Sequence, residues 1–432
     1  MDDWLTHADG VALITSSGTV TYAELSARAR RTARRLAALG VGEGDRVATT
    51  LPPSTAFAEV LHALPLLGAS LVPLNTRLTE AERRWQLEDS GARLCVEEPL
   101  AGDEAEVELR REVDPDAEHS VIYTSGTTGR PTAVSLTHRN HIESALASAW
   151  NLGVDPDDRW LCVLPLFHVG GLAILLRSAI YGTAAVVHEG FDVERVKDAF
   201  ERGEVTLASL VPTMLRRLVD AGLHDAPALR AVLLGGGPVP RDLLEWSAER
   251  GLPVLQTYGM TQTSSQIATL TAAEAVTKTG SAGRPLPGVK LSISGEGEIL
   301  VRGPMVSPSA LDPQTGWLHT GDRGRIDAEG YLWVEGRLKD VIVTGGENVA
   351  CAEVERVLEE HPAVVEAAVV GLPDPEWGEA VTAFVVLDGE ADDLIAHCRE
   401  RLAGYKVPRA LHAVDVLPRN AAGKLLRREL VR

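Results

Sequence analysis

Short apolar, β-branched runs alternate with segments of helical spacing from residue 11 to beyond residue 234, and that alternation leaves few folds open. A short hairpin is expected over 11–21. A helix is expected over 22–39, with Thr21 as N-cap and Gly40 as stop. Strands near Val47, 71–73 and 93–96 enclose helices over 56–67 and from Glu80. Such strand–helix alternation predicts an α/β fold with mostly parallel sheets. The pattern breaks at 97–118, which holds ten acidic residues and two arginines without apolar periodicity and reads as a solvated surface connection. It resumes at Val121. Residues 289–335 then change character, with short strands over 289–294, 297–301 and 330–334 joined by glycine-rich turns, which predicts a small β unit. A strand at 341–343, a helix over 352–360, strands at 364–370 and 381–387 and a helix over 391–403 predict a smaller α+β domain. The boundary falls near Lys339–Asp340, so the expected domains are 1–338 and 339–432. A chain of 432 residues has material for two or more domains at ~100–200 residues each.

Charge and cysteine usage narrow the function classes. Lys+Arg is 42 and Asp+Glu is 61, a net of −19, and so acidic a chain repels nucleic acid and anionic lipid. The four cysteines, Cys95, Cys162, Cys351 and Cys398, have no metal-site or redox-motif spacing and read as thiols of a reducing cytoplasm. The acidic start, Met-Asp-Asp-Trp, lacks the order of a signal peptide. The most apolar stretch, 169–180, is interrupted by Arg177 and is too short for a bilayer. No membrane or nucleic-acid partner is therefore expected, and a homo-oligomer stays open.

The most informative segment runs from Tyr123 through Thr124-Ser125-Gly126-Thr127-Thr128-Gly129 to Val134, directly after an expected strand. Small and hydroxyl residues expose backbone N–H groups and hydroxyl donors, and glycine permits close approach, a combination suited to a polyphosphate. It is not a Walker A loop, because no Gly-Lys-[Ser/Thr] follows.

This loop occurs in order with Tyr258-Gly-Met-Thr261, His319-Thr-Gly-Asp322, Gly336-Arg-Leu-Lys-Asp340, Gly345-Gly-Glu-Asn348 and Asn420-Ala-Ala-Gly-Lys424. Together the six motifs resemble the adenylate-forming acyl-CoA synthetase superfamily over essentially the whole chain. The resemblance implies a large N-terminal domain, a small mobile C-terminal one, and ATP, Mg²⁺ and coenzyme A as reactants. A carboxylate attacks the α-phosphate of ATP, and the CoA thiol then displaces AMP. It also implies that 124–129 hold the β- and γ-phosphates. Gly235-Gly236-Gly237 would admit a planar adenine, with Tyr258 on the ring's other face and Gly259 alongside, and Thr261 and His168 would count with Lys424 among the catalytic residues. Asp322 and Arg337 would lie at the ribose. Lys424, one of only six lysines against thirty-six arginines, would bridge the carboxylate and the α-phosphate, where a compact ammonium stabilises developing charge. Asp340 would be the hinge, and Gly345, Gly346, Tyr405 and Arg409 would meet CoA.

Two positions depart from the family pattern. Pro131-Thr132-Ala133 stands where Pro-Lys-Gly is usual, with Arg130 as a substitute cation. Gln262 replaces a glutamate that helps bind Mg²⁺, and a neutral amide oxygen is a poorer ligand for a hard cation.

For the acid, Pro165-Leu-Phe-His168-Val-Gly170-Gly leads into an apolar helix carrying Arg177. Within the superfamily this segment lines the acyl pocket, with His168 as wall or gate. An arginine there is costly unless an anion neutralises it, either a distant structural acid or a second carboxylate on the substrate. The segments 164–182, 205–218 and 233–270, including Ser264, Ser265 and Gln266 near the adenylate, resemble the o-succinylbenzoate–CoA ligases of menaquinone biosynthesis, whose substrate is an aromatic dicarboxylate. Another aryl or short dicarboxylate CoA ligase, an adenylation enzyme loading a separate carrier protein, and a degenerate ATP-binding regulator are the alternatives.

Overall fold

The computed structural model describes residues 5, 7, 10–124, 131–237, 239–338, 340–344, 347–375, 377–389, 391, 393–419 and 425–431. The chain forms two compact units: Met1–Leu291 with Val301–Leu318, and Ser292–Leu300 with His319–Arg432. Two sheets dominate the first. One has nine strands, ordered Arg284–Pro285, Ser265–Thr269, Val254–Met260, Ala231–Leu234, Leu207–Leu210, Arg159–Cys162, Ala184–Val187, Val11–Thr15 and Gly18–Thr21. Its central pairings are parallel and its outer ones antiparallel, so the expected α/β class holds. The second sheet has five strands, ordered Leu94–Val96, Arg46–Thr49, Ser70–Pro73, Glu118–Thr124 and Thr132–Thr137.

Local chemistry explains the helix boundaries. Tyr22–Ala38 starts at a capping box in which Thr21 and Glu24 satisfy each other's backbone donors, and it buries Tyr22, Leu25, Ala29, Ala33 and Leu36 along one face. Glu80–Ser90 repeats the device with Thr79 and Glu82. The helix expected over 56–67 stops at Ala63, and a 3₁₀ turn, Pro65–Leu67, follows, because proline cannot continue an α-helical ladder. Val169–Tyr181 is buried nearly all round, as an apolar helix must be, and Arg177 within it is only 3% exposed.

The acidic connection differs from expectation at its end. Glu118 opens a strand, and its carboxylate accepts hydrogen bonds from Arg46 Nε and Nη2 (2.7 Å each), Ser70 Oγ (2.8 Å) and Ser135 Oγ (2.6 Å). Leu109, from the same stretch, is buried. Glu118–Thr124 and Thr132–Thr137 pair antiparallel, with Thr124 opposite Thr132.

In the second unit, Val341–Thr344, Glu347–Ala350, Val364–Asp374, Gly378–Leu387 and Ala410–Ala413 form a five-stranded sheet that shares a core with the helices Cys351–Glu359 and Leu394–Arg401. A four-stranded sheet, Lys290–Ile293, Glu298–Arg302, Leu318–Ile326 and Leu332–Arg337, lies mostly in this unit. The strand Leu318–Ile326 had no apolar signal, because its inward positions are Leu318, Thr320, Asp322 and Gly324. Among the described residues no helix is long and apolar enough to cross a membrane.

Burial alone would raise the Glu118 pKa, but hydrogen bonds from Arg46, Ser135 and Ser70 hold it below the usual glutamate range. A depressed folded-state pKa contributes stability above the unfolded value that is lost as pH falls through the folded one. Glu118→Gln should therefore cost about 1–2 kcal/mol at neutral pH, after allowance for partial solvent screening. Urea unfolding at neutral and strongly acidic pH checks this, because the deficit should shrink in acid.

Candidate active site

The strand Ala231–Leu234 ends in three glycines with different reasons to be there. A Cβ on Gly235 would lie 2.8 Å from the Thr257 carbonyl oxygen, and Gly236 has φ +81°, so both serve a tight turn. Gly237 is exposed and a Cβ there would meet no described atom within 4 Å. The fold does not require that glycine, which leaves a bare surface.

Next to it in the sheet, Val254–Met260 carries Tyr258 and Gly259, then a 3₁₀ turn, Thr261–Thr263, that returns into Ser265–Thr269. A Cβ on Gly259 would sit 1.7 Å from the Ser265 carbonyl oxygen. Ser264 (φ +50°) and Ser265 (φ +97°) are the only described non-glycine residues in left-handed backbone, a conformation that costs of order 1–3 kcal/mol and gathers at functional sites. Thr261 and Gln262 are half-buried, and the Gln262 carbonyl accepts from Ser307 N (2.7 Å).

Behind this turn lies a buried polar network. Arg177 Nη2 donates to Ser144 Oγ (3.1 Å), which donates to the Ser264 carbonyl (2.7 Å). The guanidinium also faces the Trp160 ring, 5.7 Å from its centroid. No carboxylate pairs with Arg177 among the described residues, so the distant structural acid weighed from sequence is not found there. Burial pushes its pKa down and Tyr181 pushes it up, yet a guanidinium stays protonated. Arg177 Nε, His168 Nε2, Ser264 Oγ and Gln266 Oε1 are all buried without a described hydrogen-bond partner. Buried polar atoms are nearly always paired, and these four belong to a larger set that includes Arg35 Nε, Ser178 Oγ and Thr344 Oγ1. His168 is the N-cap residue of Val169–Tyr181, its ring lies against Phe167 (4.5 Å), and burial keeps its pKa low. Gly170 has room for a side chain, with Leu164 Cδ1 at 3.4 Å. Gly171 has none, because the Pro165 and Leu164 carbonyls stand 2.4 and 2.6 Å away.

In the second unit Asp322 and Arg337 face each other across the ladder, with Oδ1 2.8 Å from Nε. Asp322 is buried while Arg337 is exposed, so only the carboxylate side of the pair is withdrawn from solvent. Tyr405 and Arg409 are exposed, and the Arg409 guanidinium lies 3.9 Å over Trp377. Lys406 is held by Glu353 (2.7 Å). The Asp340 carboxylate pairs with Arg427 (2.9 Å), whose other nitrogen meets the buried Glu355 (2.7 Å). Ser125, Gly126, Thr127, Thr128, Gly129, Arg130, Gly345, Gly346 and Lys424 lie outside the described residues. Thr124 lies within them, and its hydroxyl donates to the Thr132 carbonyl (3.2 Å).

Sequence reading did not single out Ser144, Trp160 or Arg427. The one available signal was a buried polar stripe, Asn140, Ser144 and Ser148, at helical spacing in His138–Leu152.

The bare glycine turn after Ala231–Leu234 and the buried Arg177 network belong to the same compact unit. The chain belongs to the AMP-binding enzyme family: the family model matches residues 2–309, and that of the AMP-binding enzyme C-terminal domain matches 353–424. Within the family it is 45% identical to 2-succinylbenzoate–CoA ligase of Geobacillus kaustophilus, over all of this chain and 98% of that one. Among solved structures it is similar to o-succinylbenzoate CoA synthetase from Bacillus subtilis in complex with the acyl-adenylate intermediate (TM-score 0.94, 41% identity, 100% and 98% of the chains). The same enzyme in complex with ATP and a magnesium ion matches at TM-score 0.92 and 42% identity, over 100% and 99% of the chains.

The glycines separate fold from function. Gly171→Ala and Gly259→Ala should each destabilise the protein by about 1–3 kcal/mol or more, because only backbone could give way. Gly170→Ala and Gly237→Ala should leave the thermal midpoint unchanged. Differential scanning calorimetry on the four variants checks this.

Proposed function

We propose that this chain is an AMP-forming acid–CoA ligase that converts o-succinylbenzoate into o-succinylbenzoyl-CoA for menaquinone biosynthesis. The observation that carries the substrate is Arg177, a buried guanidinium without a described acid partner, tied through Ser144 to the Ser264 turn. The substrate's aliphatic carboxylate is activated, and its ring carboxylate must leave water to enter an apolar pocket, which is unfavourable unless it is paired. Arg177 supplies the partner, and the substrate in turn neutralises the arginine. His168, neutral and apolar-faced, forms a wall of the same pocket with Gly170, Ser264 and Ser265.

In the first step the carboxylate attacks the α-phosphate of ATP and pyrophosphate leaves. Residues 124–129 hold the phosphates, Gly235–Gly237 and Tyr258 hold the adenine with Gly259 alongside, and Asp322 and Arg337 bind the ribose. Lys424 stabilises charge building between carboxylate and α-phosphate, more in the transition state than in the ground state. In the second step the CoA thiol attacks the acyl carbon and AMP departs, with Gly345, Gly346, Tyr405 and Arg409 along the CoA path. This reading keeps 1–338 as the adenylate-forming domain and 339–432 as the mobile one, turning about Asp340. Among the described residues no cluster of three or more acidic, histidine or cysteine side chains could hold a metal. Thr261 and Gln262 offer only neutral oxygens, which suits Mg²⁺ carried by the triphosphate. Bound there, the ion neutralises phosphate charge. The four cysteines are free, in keeping with a reducing cytoplasm.

Two experiments test the assignment. Arg177→Met removes the charge at similar volume. Losing one partner of a buried pair costs ~3–5 kcal/mol, so kcat/KM for the dicarboxylate should fall by roughly two to four orders of magnitude. Benzoylpropionate, which lacks the ring carboxylate, should lose far less, and the ligand-free thermal midpoint should not fall. Equal loss on both substrates makes Arg177 structural. Lys424→Ala should abolish adenylate formation, measured as pyrophosphate release, while thioester formation from presynthesised acyl-adenylate stays nearly intact.

A further inference from the structure

Ser144 lies in the helix His138–Leu152 and is 2% exposed. A serine inside a helix commonly turns its hydroxyl back to its own helix, to the carbonyl four residues earlier. This hydroxyl instead reaches the Ser264 carbonyl at 2.7 Å. A hydroxyl has one proton, and with that proton committed to Ser264 the Oγ can only accept from Arg177. The bond to Nη2 at 3.1 Å then sets the roll of the guanidinium about its own axis, while its central carbon lies over the Trp160 ring. Nε is buried and has no described hydrogen-bond partner. Nη2 thus spends one of its two N–H groups on Ser144, and the Nε N–H beside it is kept for an incoming acceptor. A carboxylate matches such an edge with two parallel hydrogen bonds, provided the guanidinium plane is already set.

We propose that Ser144 is a positioning residue for substrate selection. It fixes the rotation of Arg177 so that the Nε edge presents to the substrate's second carboxylate, and it anchors that orientation to the left-handed turn at Ser264–Ser265. Three elements meet at this one oxygen: the helix bearing Ser144, the helix bearing Arg177, and the turn before the strand Ser265–Thr269. The inference rests on the reading of Arg177 as the partner of a dicarboxylate's spectator group. Without Ser144 the guanidinium keeps its charge but loses its preset plane, so binding of the dicarboxylate bears the ordering cost. The loss therefore belongs to KM rather than kcat, because the spectator carboxylate takes no part in bond making.

The test compares wild type, Ser144→Ala, Ser144→Cys, Arg177→Met and the Ser144→Ala/Arg177→Met double variant in full-length enzyme. Substrates are o-succinylbenzoate and benzoylpropionate, with saturating ATP and CoA. Ser144→Ala should raise KM for the dicarboxylate roughly tenfold, the scale of one lost charge-assisted hydrogen bond, with kcat within about twofold. KM for benzoylpropionate should stay within about twofold. Ser144→Cys, nearly isosteric and a weak acceptor, should reproduce the split, and it carries the test where the alanine variant folds poorly. In the Arg177→Met background, Ser144→Ala should add nothing to the substrate ratio. If Ser144→Ala and Ser144→Cys weaken both substrates by the same factor, or neither, Ser144 is structural and the inference is overturned while the Arg177 reading stands. If Arg177→Met leaves the substrate ratio unchanged, the dicarboxylate reading fails and this inference falls with it.

Discussion

The Glu118 carboxylate joins four strands of the five-stranded sheet at one point. Arg46 reaches it from one parallel strand, Ser70 from the next, and Ser135 from the antiparallel return, while Glu118 itself begins the strand that leads to Thr124. Both carboxylate oxygens carry two of these bonds, so a partly buried charge is fully satisfied and the cross-strand register is set by chemistry more selective than apolar packing. The hydroxyl–glycine block follows in the chain directly after that strand. Its entry point, Thr124 opposite Thr132, inherits the register that Glu118 sets.

A second polar network has the opposite character. At Arg177 the hydrogen-bonding capacity is left incomplete at Nε, and Ser264 Oγ, Gln266 Oε1 and His168 Nε2 also lack described partners. Burying such groups opposes folding, as does left-handed backbone at two serines. An apolar residue at 177 would pack at less cost to the empty protein. The Arg177 network is thus less complete than the one at Glu118. The same contrast divides the glycines. Gly171, Gly235 and Gly259 are demanded by neighbouring backbone, whereas Gly237 is bare for no reason internal to the fold.

In the second unit the Asp340–Arg427–Glu355 cluster ties the residue read as a hinge to the helix Cys351–Glu359 and to the last described helix, Arg427–Leu430. Arg427 follows the motif that ends at Lys424 by three residues, and its role is invisible in the motif itself, since its partners lie 72 and 87 residues earlier in the chain.

Local periodicity and capping carried the helices from Tyr22 and Glu80, the parallel strands, and the apolar helix with its single arginine, because those signals lie within one turn or one pleat of each residue. The motifs likewise picked out Gly235–Gly237, Tyr258, Asp322 and Lys424, since spacing along the chain is all a motif needs. The strand Leu318–Ile326 escaped, because its inward positions after Leu318 are Thr, Asp and Gly. So did Ser144 and the role of Glu118, one a serine in a helix and the other the last acid in a solvated run. What each of them does depends on partners 17 to 120 residues away. Sequence alone determined which residues are chemically able to act here. Tertiary structure decided which buried charges are satisfied and which are not, because satisfaction is a property of distances between segments that the order of residues does not contain.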